Sequence, residues 1–354
     1  MNNKSRGQKI RKQILRDVIH HPRDIAAHIS GIFSITPQAV YNHLRKLEDD
    51  KRLITSGKRK GKHYFLGDLR EYESVFQLTP DFAEDKVWRS HFSFIFDDLP
   101  ENIVDICYYG FTEMVNNVID HSGGNEVFIS ISRDDKYIKV YVMDNGEGIF
   151  KRITRLCKLA DERQALLELS KGKFTTDPDN HTGEGIFFTS RVFDEFEIDS
   201  KGLRFTHNED FDFDFMLESE LPMEQIGTVV RMFLDRNTTR ETQDIYDKFT
   251  AGPDEYQFNK TIVPVRLAQY ENEKLVSRSQ AKRLLSRIEN FEVVIFDFQE
   301  VKSVGQAFAD EIFRVYAIRN PQLKLIPINM EINVEKMVNK AIQSREVIEE
   351  QNKT

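Results

Sequence analysis

Residues 110–124 read GFTEMVNNVIDHSGG and end a helical pattern of apolar residues in the middle of the chain. Glu113 and Asn117 are four residues apart in this pattern, so a helix places them on one side, about 6 Å apart along its axis. Gly123 and Gly124 then interrupt the helix. A carboxylate and an amide that share one side of a half-buried helix, directly before a glycine break, indicate a polar site. The alternative is a solvated helix face.

The sequence after this helix predicts strands joined by glycine-rich loops. EVFISISRD and YIKVYVMD alternate apolar and polar residues, which predicts an antiparallel hairpin with Asp134 and Asp135 near its turn. The second strand ends in Asp144 and enters DNGEGI. A later loop reads GKFTTDPDNHTGEGI before an apolar helix, and GTVVRMFL predicts another strand. Each motif alone is typical of ordinary turns, so the interpretation depends on their order and spacing.

Together these motifs resemble the GHKL ATP-binding superfamily of gyrase, histidine kinases and mismatch-repair ATPases, over residues 86–235. The matching motifs are the pair Glu113 and Asn117, the box Asp144, Gly146 and Gly148, the lid-end motif Gly183-Glu184-Gly185, and the strand start Gly227-Thr228. The resemblance implies an α/β sandwich that binds ATP together with Mg²⁺.

The resemblance also implies a role for each matching residue. Asn117 would supply an oxygen ligand to Mg²⁺, and Glu113 would orient or deprotonate a water or an incoming hydroxyl. Asp144 would accept a hydrogen bond from the adenine amino group, supported by Thr228. Glycines allow close backbone approach, and helix N-terminal amides receive phosphate. The other residues expected to bind the nucleotide are Asp120, His121, Gly146, Gly148, Thr175, Thr176, Gly183 and Gly185. For His121, a structural hydrogen bond is an equal alternative.

The loop around Phe174-Thr175-Thr176, with its acidic and proline-containing continuation, resembles the bacterial anti-sigma-factor serine kinases. A histidine kinase would also need a long pair of dimerisation helices that present a phosphoacceptor histidine. No segment before residue 90 is long enough for such a pair. His91 lies in the apolar stretch VWRSHFSFIF, which favours a packed core histidine.

The first 69 residues form a basic head. They contain fifteen Lys and Arg and six Asp and Glu, which gives a net charge of +9. The whole chain has a net charge of −8, so the remaining residues carry −17. Apolar spacing predicts helices over 8–20 and 24–32 and a third from Pro37, with Thr36 as its N-cap. The stretch LITSGKRKGKHYFLG then predicts a hairpin with a basic tip.

Three helices followed by a basic hairpin resemble the winged helix-turn-helix family, which implies DNA binding. The third helix would read bases and the wing tip would contact phosphates. The candidate DNA-binding residues are Gln38, Asn42, Arg45 and Lys46 on the helix, and Lys58, Arg59, Lys60 and Lys62 at the wing. The alternative is a small helical domain that contacts protein, with a solvated basic loop.

The last third of the chain alternates predicted strands and helices, which indicates a small β/α domain. It resembles a STAS-like domain, the fold of anti-sigma-factor antagonists, in particular through FADEIF at Phe308–Phe313. Those antagonists carry a phosphorylatable serine where the helix begins. The corresponding turn here reads Val304-Gly305-Gln306-Ala307, and Ser303 lies a few residues too early. We therefore expect an interaction or switching role, and we expect Asp310 and Glu311 to face solvent.

The sequence thus predicts a multidomain α+β protein. The predicted division is a winged helix-turn-helix (1–69), a linker (70–90), a GHKL α/β sandwich (91–235), a connector with one helix (236–258), a STAS-like domain (259–345) and a frayed tail (346–354). No apolar run is long enough to span a membrane, and the two cysteines, far apart in the sequence, are expected to be buried reduced thiols. These features predict a cytoplasmic protein.

Two main hypotheses for function follow from this organisation. The first is a signalling or transcriptional regulator that couples Mg-ATP binding to a DNA-binding head and a STAS-like interaction domain. The alternative is a serine/threonine protein kinase of the anti-sigma-factor type, and a non-catalytic scaffold is a third. The expected partners are DNA and a protein, with a second copy of the chain as an open alternative.

Overall fold

The computed structural model describes residues 3–57, 61–174, 183–209, 213–218, 227–250, 257–269 and 273–351. These residues form a mixed α/β structure with three sheets: a two-stranded ribbon, a seven-stranded antiparallel sheet and a three-stranded parallel sheet. None of the helices in this part of the chain combines the length and the apolar composition needed to cross a membrane.

At the N-terminus, three helices pack together and a short ribbon follows. The elements are α1 (Asn3–Asp17), α2 (Ile25–Phe33), α3 (Pro37–Asp49), β1 (Leu53–Ser56) and β2 (His63–Leu66). The side chain of Thr36 caps α3, because its Oγ1 accepts a hydrogen bond from Ala39 N at 3.3 Å. Ile14, Ile29 and Leu44 are fully buried between the helices. The predicted helices, cap and hairpin are therefore confirmed.

The seven-stranded sheet forms the middle of the chain. Its strands are β3 (Arg70–Gln77), β4 (Glu126–Arg133), β5 (Tyr137–Asp144), β6 (Glu195–Ser200), β7 (Leu203–Asn208), β8 (Phe213–Glu218) and β9 (Thr228–Asp235). Their order across the sheet is β3-β4-β5-β9-β6-β7-β8, and all neighbours are antiparallel. The sequence predicts β4, β5 and β9 but not β6, β7 and β8.

Residues 70–90 do not form the linker that the sequence predicts. Strand β3 is an edge strand of the central sheet and pairs with β4 along its whole length. Glu71 and Glu73 are exposed on one face, whereas Tyr72 and Phe76 pack against the core from the other. The alternation of acidic and aromatic residues is that of an edge strand with one solvated face; its average composition is polar, which explains the wrong prediction.

In the part of the chain that the structure describes, five α-helices accompany this sheet. They are α4 (Glu84–Val87), α5 (Glu101–His121), α6 (Ile149–Cys157), α7 (Glu162–Lys171) and α8 (Gly185–Val192). Helix α5, predicted from its apolar periodicity, packs against β5 and α8. Cys107 is buried in α5 and Cys157 is half-buried at the end of α6, and both are free thiols. The expected burial thus applies fully only to Cys107.

The predicted connector contains the expected helix, α9 (Thr242–Lys248). Its flanks are packed: Phe249 and Phe258 are buried against Phe187 and Phe188 of α8, with ring centroids between 4.5 and 6.2 Å apart. The connector therefore contributes to a shared aromatic core between the central sheet and the last third of the chain.

The last third is a parallel sheet with helical crossovers, as predicted. Its elements are β10 (Lys260–Pro264), α10 (Arg278–Leu285), β11 (Val293–Asp297), α11 (Gln306–Asp310), α12 (Ala317–Arg319), β12 (Lys324–Ile328) and α13 (Ile332–Gln351). The sheet order is β10-β11-β12, and both strand pairs are parallel. Helix α13 continues to Gln351, so the predicted frayed tail is wrong for residues 346–351.

Candidate functional site

A cavity of about 310 Å³ opens beside α5 in the central domain. The lining includes residues that are far apart in the sequence but that the motif analysis selects. They are Glu113, Asn117, His121, Asp144, Gly148, Gly183, Gly185 and Thr228. The cavity therefore brings the predicted site residues of four motifs to one place.

Four of the predicted nucleotide-binding positions are not part of this lining: two lie elsewhere, and two are outside the described residues. Asp120 is exposed at the end of α5 and does not line the cavity. Gly146 also lies outside the lining and contacts the carboxylate of Asp144 instead. Thr175 and Thr176 belong to the residues that the structure does not describe.

Asp144 ends strand β5 with only 5% of its surface exposed. Its Oδ1 accepts hydrogen bonds from Gly146 N at 2.7 Å and Thr228 N at 3.3 Å. A Cβ on Gly146 would overlap the carbonyl oxygen of Ser122, so only glycine fits where the two loops meet. Burial raises the pKa of the Asp144 carboxyl, and the two backbone N–H donors partly oppose that rise. The carboxylate is thus oriented by the backbone and faces the cavity.

Thr228 joins the two motifs behind this carboxylate. Its Oγ1 accepts a hydrogen bond from Ile149 N, the first residue of α6, at 3.1 Å. Its own backbone N–H donates to Asp144. Gly227 N also donates to the carbonyl oxygen of Asp144, at 3.0 Å. The start of β9 therefore fixes both the end of β5 and the beginning of α6.

On the opposite side, α5 presents Glu113 and Asn117 towards the start of α8. A Cβ on Gly185 would overlap Glu113 Oε2, so the carboxylate lies directly over the first residue of α8. The amide nitrogen of Asn117 is buried and has no hydrogen-bond partner among the described residues. Buried amide groups are normally paired. An acceptor from outside the described protein would complete this one.

The segment around Phe174 closes a further wall. Phe174 N donates to Gly183 O at 3.0 Å, and both residues line the cavity. Next to them, burial raises the pKa of the Glu184 carboxyl, and the Lys173 ammonium partly opposes that rise. This wall therefore combines an aromatic ring with half-buried backbone at the N-terminus of α8.

Most of the apolar lining and one arginine lie outside the sequence motifs. The apolar residues that the motif analysis did not select include Met114, Val142, Ile149, Ile153, Leu169, Ile186, Ile198 and Val230. Arg152 also lines the cavity, and its Nε is buried without a hydrogen-bond partner among the described residues. The four-residue spacing of Ile149 and Ile153 on α6 was the available signal, because it marks an inward face.

A second cavity, about 650 Å³, lies on the other side of Glu113. Acidic and tyrosine side chains dominate its lining: Glu101, Asp105, Tyr108, Tyr109, Glu113, Glu241 and Tyr246. The Tyr246 hydroxyl donates a hydrogen bond to the Tyr109 hydroxyl at 3.0 Å. Glu113 is therefore a side chain that both cavities share.

In the head, the structure places the candidate reading residues on the outer face of α3. Gln38, Asn42, Arg45 and Lys46 are all exposed. Lys62 has a structural role instead, because its Nζ donates to Glu48 Oε1 at 2.7 Å. Lys58, Arg59 and Lys60 lie outside the described residues. Among the described candidate DNA-binding residues, the exposed ones therefore lie on α3.

The C-terminal domain shows no hydroxyl where α11 begins, and Ser303 is exposed before it. The expectation that its acidic pair faces solvent is wrong for Glu311, and Asp310 is half-buried. Asp310 pairs with Arg314, but Glu311 is only 7% exposed and packs into the core side of the helix. Consecutive residues on a helix are rotated by about 100°, so the two carboxylates of the pair have different surroundings.

Comparison with known proteins identifies one part of the chain. Residues 280–335 match the model of a family described as a STAS-like domain of unknown function (DUF4325). No curated protein matches the chain. The C-terminal domain is thus STAS-like, as the sequence predicts.

Proposed function

We propose that the central domain binds Mg-ATP in the cavity beside α5, and that the protein is a regulator whose head and STAS-like domain respond to that binding. One observation carries the proposal: the carboxylate of Asp144 and the amide of Asn117, from distant motifs, line one cavity together with Gly148, Gly183 and Gly185. The volume, about 310 Å³, falls at the lower end of the roughly 300–1,000 Å³ usual for small-molecule pockets.

The lining fits the parts of a nucleotide. Apolar residues surround Asp144, which suits a flat base with one hydrogen-bond donor. The N-terminus of α8, with Gly183 and Gly185 at the wall, offers backbone N–H groups to phosphate. The unpaired amide nitrogen of Asn117 would donate to a phosphate oxygen, while its Oδ1 would hold Mg²⁺. Mg²⁺ would neutralise phosphate charge.

Glu113 is the residue that would decide between binding and turnover. Its carboxylate lies over the first residue of α8, beside the proposed phosphate position. There it would orient a water or accept a proton. We expect Asn117→Ala to lose Mg-ATP, and Glu113→Ala to keep binding but release no phosphate. Equal phosphate release by wild type and Glu113→Ala would contradict this role.

The proposed output is DNA binding by the head. Support comes from the net charge of +9 over residues 1–69 and from the exposed polar and basic residues of α3. The test is a gel-shift series of the full chain with and without Mg-ATP. The proposal predicts a DNA affinity that changes with nucleotide, and identical affinity in both series would refute the coupling.

The second cavity favours an alternative, a protein kinase. Since Glu113 borders both cavities, a hydroxyl held in the acidic one would reach the same carboxylate that faces the proposed phosphates. Incubation with labelled ATP and cell extract distinguishes the two functions. Stable label on a separate protein would favour the kinase, whereas free labelled phosphate or no label would favour the regulator.

A further inference from the structure

The STAS-like domain holds the chain segment that enters the nucleotide cavity. At the end of α7, Lys171 is 1% exposed. Its Nζ donates to Glu168 Oε1 at 3.0 Å and to two carbonyl oxygens of the STAS-like domain, Arg283 O at 3.2 Å and Ser286 O at 2.8 Å. A buried ammonium with three acceptors fixes the two domains against each other, since losing any acceptor would leave charge unpaired.

Further hydrogen bonds continue along the same segment. Thr261 Oγ1, on β10, donates to Lys171 O at 2.6 Å. Lys173 Nζ donates to Asn290 O at 3.1 Å. Residues 171–173 are therefore fastened to the STAS-like domain through backbone and side chain alike.

The next residue, Phe174, is part of the cavity wall. It is 8% exposed, and the Arg287 guanidinium of the STAS-like domain lies 4.9 Å from its ring centroid. Arg287 Nη2 is also 3.4 Å from Cys157 Sγ at the end of α6. Arg287 thus sits between the wall residue and a helix of the central domain.

The backbone of Arg287 adds an independent sign of constraint. Its φ is +60°, in the left-handed region that non-glycine residues avoid. Such a conformation persists where surrounding contacts determine it. The constrained backbone of Arg287 therefore places its guanidinium beside Phe174.

We propose that Arg287 is a positioning residue of the nucleotide cavity, so that the docked STAS-like domain sets the nucleotide affinity of the central domain within the same chain. Arg287 holds the Phe174 ring, and Phe174 N in turn binds Gly183 O at the N-terminus of α8. A protein that displaces the STAS-like domain would weaken nucleotide binding. This coupling needs no phosphorylated serine, and it rests on the proposed Mg-ATP binding.

The test measures the dissociation constant for Mg-ATP by calorimetry on the full chain, alongside thermal unfolding. Arg287→Asn removes the guanidinium while tolerating the left-handed backbone. We expect about tenfold weaker binding, as for the loss of a desolvated cation–π contact, and a partial loss in Arg287→Lys. Arg278→Ala, from the same domain with a 65% exposed side chain, is the matched control and should bind as wild type.

A double-mutant cycle with Phe174→Leu separates positioning from general destabilisation. Arg287→Asn should cause no further loss of affinity in the Phe174→Leu background, because its effect passes through the ring. Losses that simply multiply, or wild-type affinity in a folded Arg287→Asn protein, would overturn the inference. If Arg287→Asn does not fold, Arg287→Lys takes its place, and wild-type affinity there overturns it equally. Absence of binding in the wild type would instead refute the proposed function, and the inference with it.

Discussion

Asp144 and Asp297 each end a buried strand, and the two carboxylates differ in the groups that donate hydrogen bonds to them. Asp144 ends β5 and Asp297 ends β11; they are 5% and 6% exposed, respectively. Each Oδ1 accepts a hydrogen bond from the backbone N–H two residues later, at 2.7 and 2.9 Å. Asp297 Oδ1 also accepts a hydrogen bond at 3.0 Å from the side-chain amide of Asn329, which follows the neighbouring strand. Asp144 Oδ1 accepts from the backbone N–H of Gly146 and of Thr228, and its carboxylate lines the cavity.

The same local turn therefore serves packing in one domain and borders an open cavity in the other. In the STAS-like domain, a protein side chain occupies the space beyond the turn. In the central domain, the space beyond Asp144 belongs to the cavity. The turn hydrogen bond is the same at both aspartates, but the residues that follow differ, DNGEG at 144–148 and DFQEV at 297–301, and so do the groups that the rest of the fold brings near.

The largest expected effect concerns the contact between the two domains that carry these aspartates. Glu168→Gln removes the charge partner of Lys171 at a site where both side chains are 1% exposed. We expect a loss of about 3 kcal/mol in the free energy of unfolding, because a buried cation is left without its counter-charge. Denaturant titration measures it.

The matched control for that variant is Glu147→Gln, which breaks an ion pair with Arg155 at a site where the arginine is 55% exposed. Exposed pairs contribute roughly 0–1 kcal/mol, so this change should be small. Equal losses in both variants would show that the docking of the two domains does not depend on the buried pair.

The next effect separates the two aspartates directly. Asp144→Asn should lower Mg-ATP affinity by about 30-fold, as expected when a hydrogen bond to a charged acceptor worth roughly 2 kcal/mol is lost. Asp297→Ala should destabilise the fold by about 2 kcal/mol through the unpaired amide of Asn329, yet leave the affinity of the folded protein unchanged. Calorimetry and denaturant titration on both variants give the two readouts. The comparison fails if both variants lose affinity equally.

The pH dependence of Asp144 sharpens the same contrast. Since burial raises its folded pKa above the ordinary value of 3.8, the folded state prefers the protonated carboxyl. Its contribution to stability is present below pH 3.8 and is lost as the pH rises through the folded pKa. Asp144→Asn should therefore gain stability over the unliganded wild type towards neutral pH. Nucleotide affinity should change in the opposite direction, because binding uses the ionised acceptor. Parallel stability curves would contradict this account.

The smallest effect lies in the head. Arg45→Ala removes an exposed cation from α3, and we expect DNA affinity to fall by only a few-fold with a salt dependence reduced by about one ion. Fluorescence anisotropy over a series of salt concentrations measures both. Asp49→Ala, an exposed acidic residue on the same helix, is the control and should not weaken binding. An unchanged salt dependence in Arg45→Ala would remove α3 from the DNA contact.

How far the sequence predicts this structure depends on how local each signal is. Helix α5, the hairpin β4–β5 and the alternation of the STAS-like domain follow from periodicity over short windows, and the structure contains them. Strand β3 was missed because its pairing partner, β4, begins at Glu126, far along the chain. Without its partner strand, the acidic sequence of β3 is typical of a linker.

The residues that line the cavity also differ in how far the sequence predicts them. Glu113, Asn117 and Asp144 stand in recognisable motifs, and the structure gathers them in one cavity. Arg152 has no motif of its own, and the motif that contains Phe174 does not predict its contact with the last third of the chain. Their placement depends on α6 and on the contact with Arg287, more than a hundred residues later, and such packing is not visible in a local pattern.

The central claim, that Asp144 and Asn117 face a site for magnesium-bound ATP, is tested most directly by calorimetric titration of the full chain with ATP in the presence and absence of Mg²⁺. The account predicts saturable binding that is strengthened by Mg²⁺ and lost in Asn117→Ala. No heat with millimolar Mg-ATP, or undiminished binding by a folded Asn117→Ala protein, would contradict it.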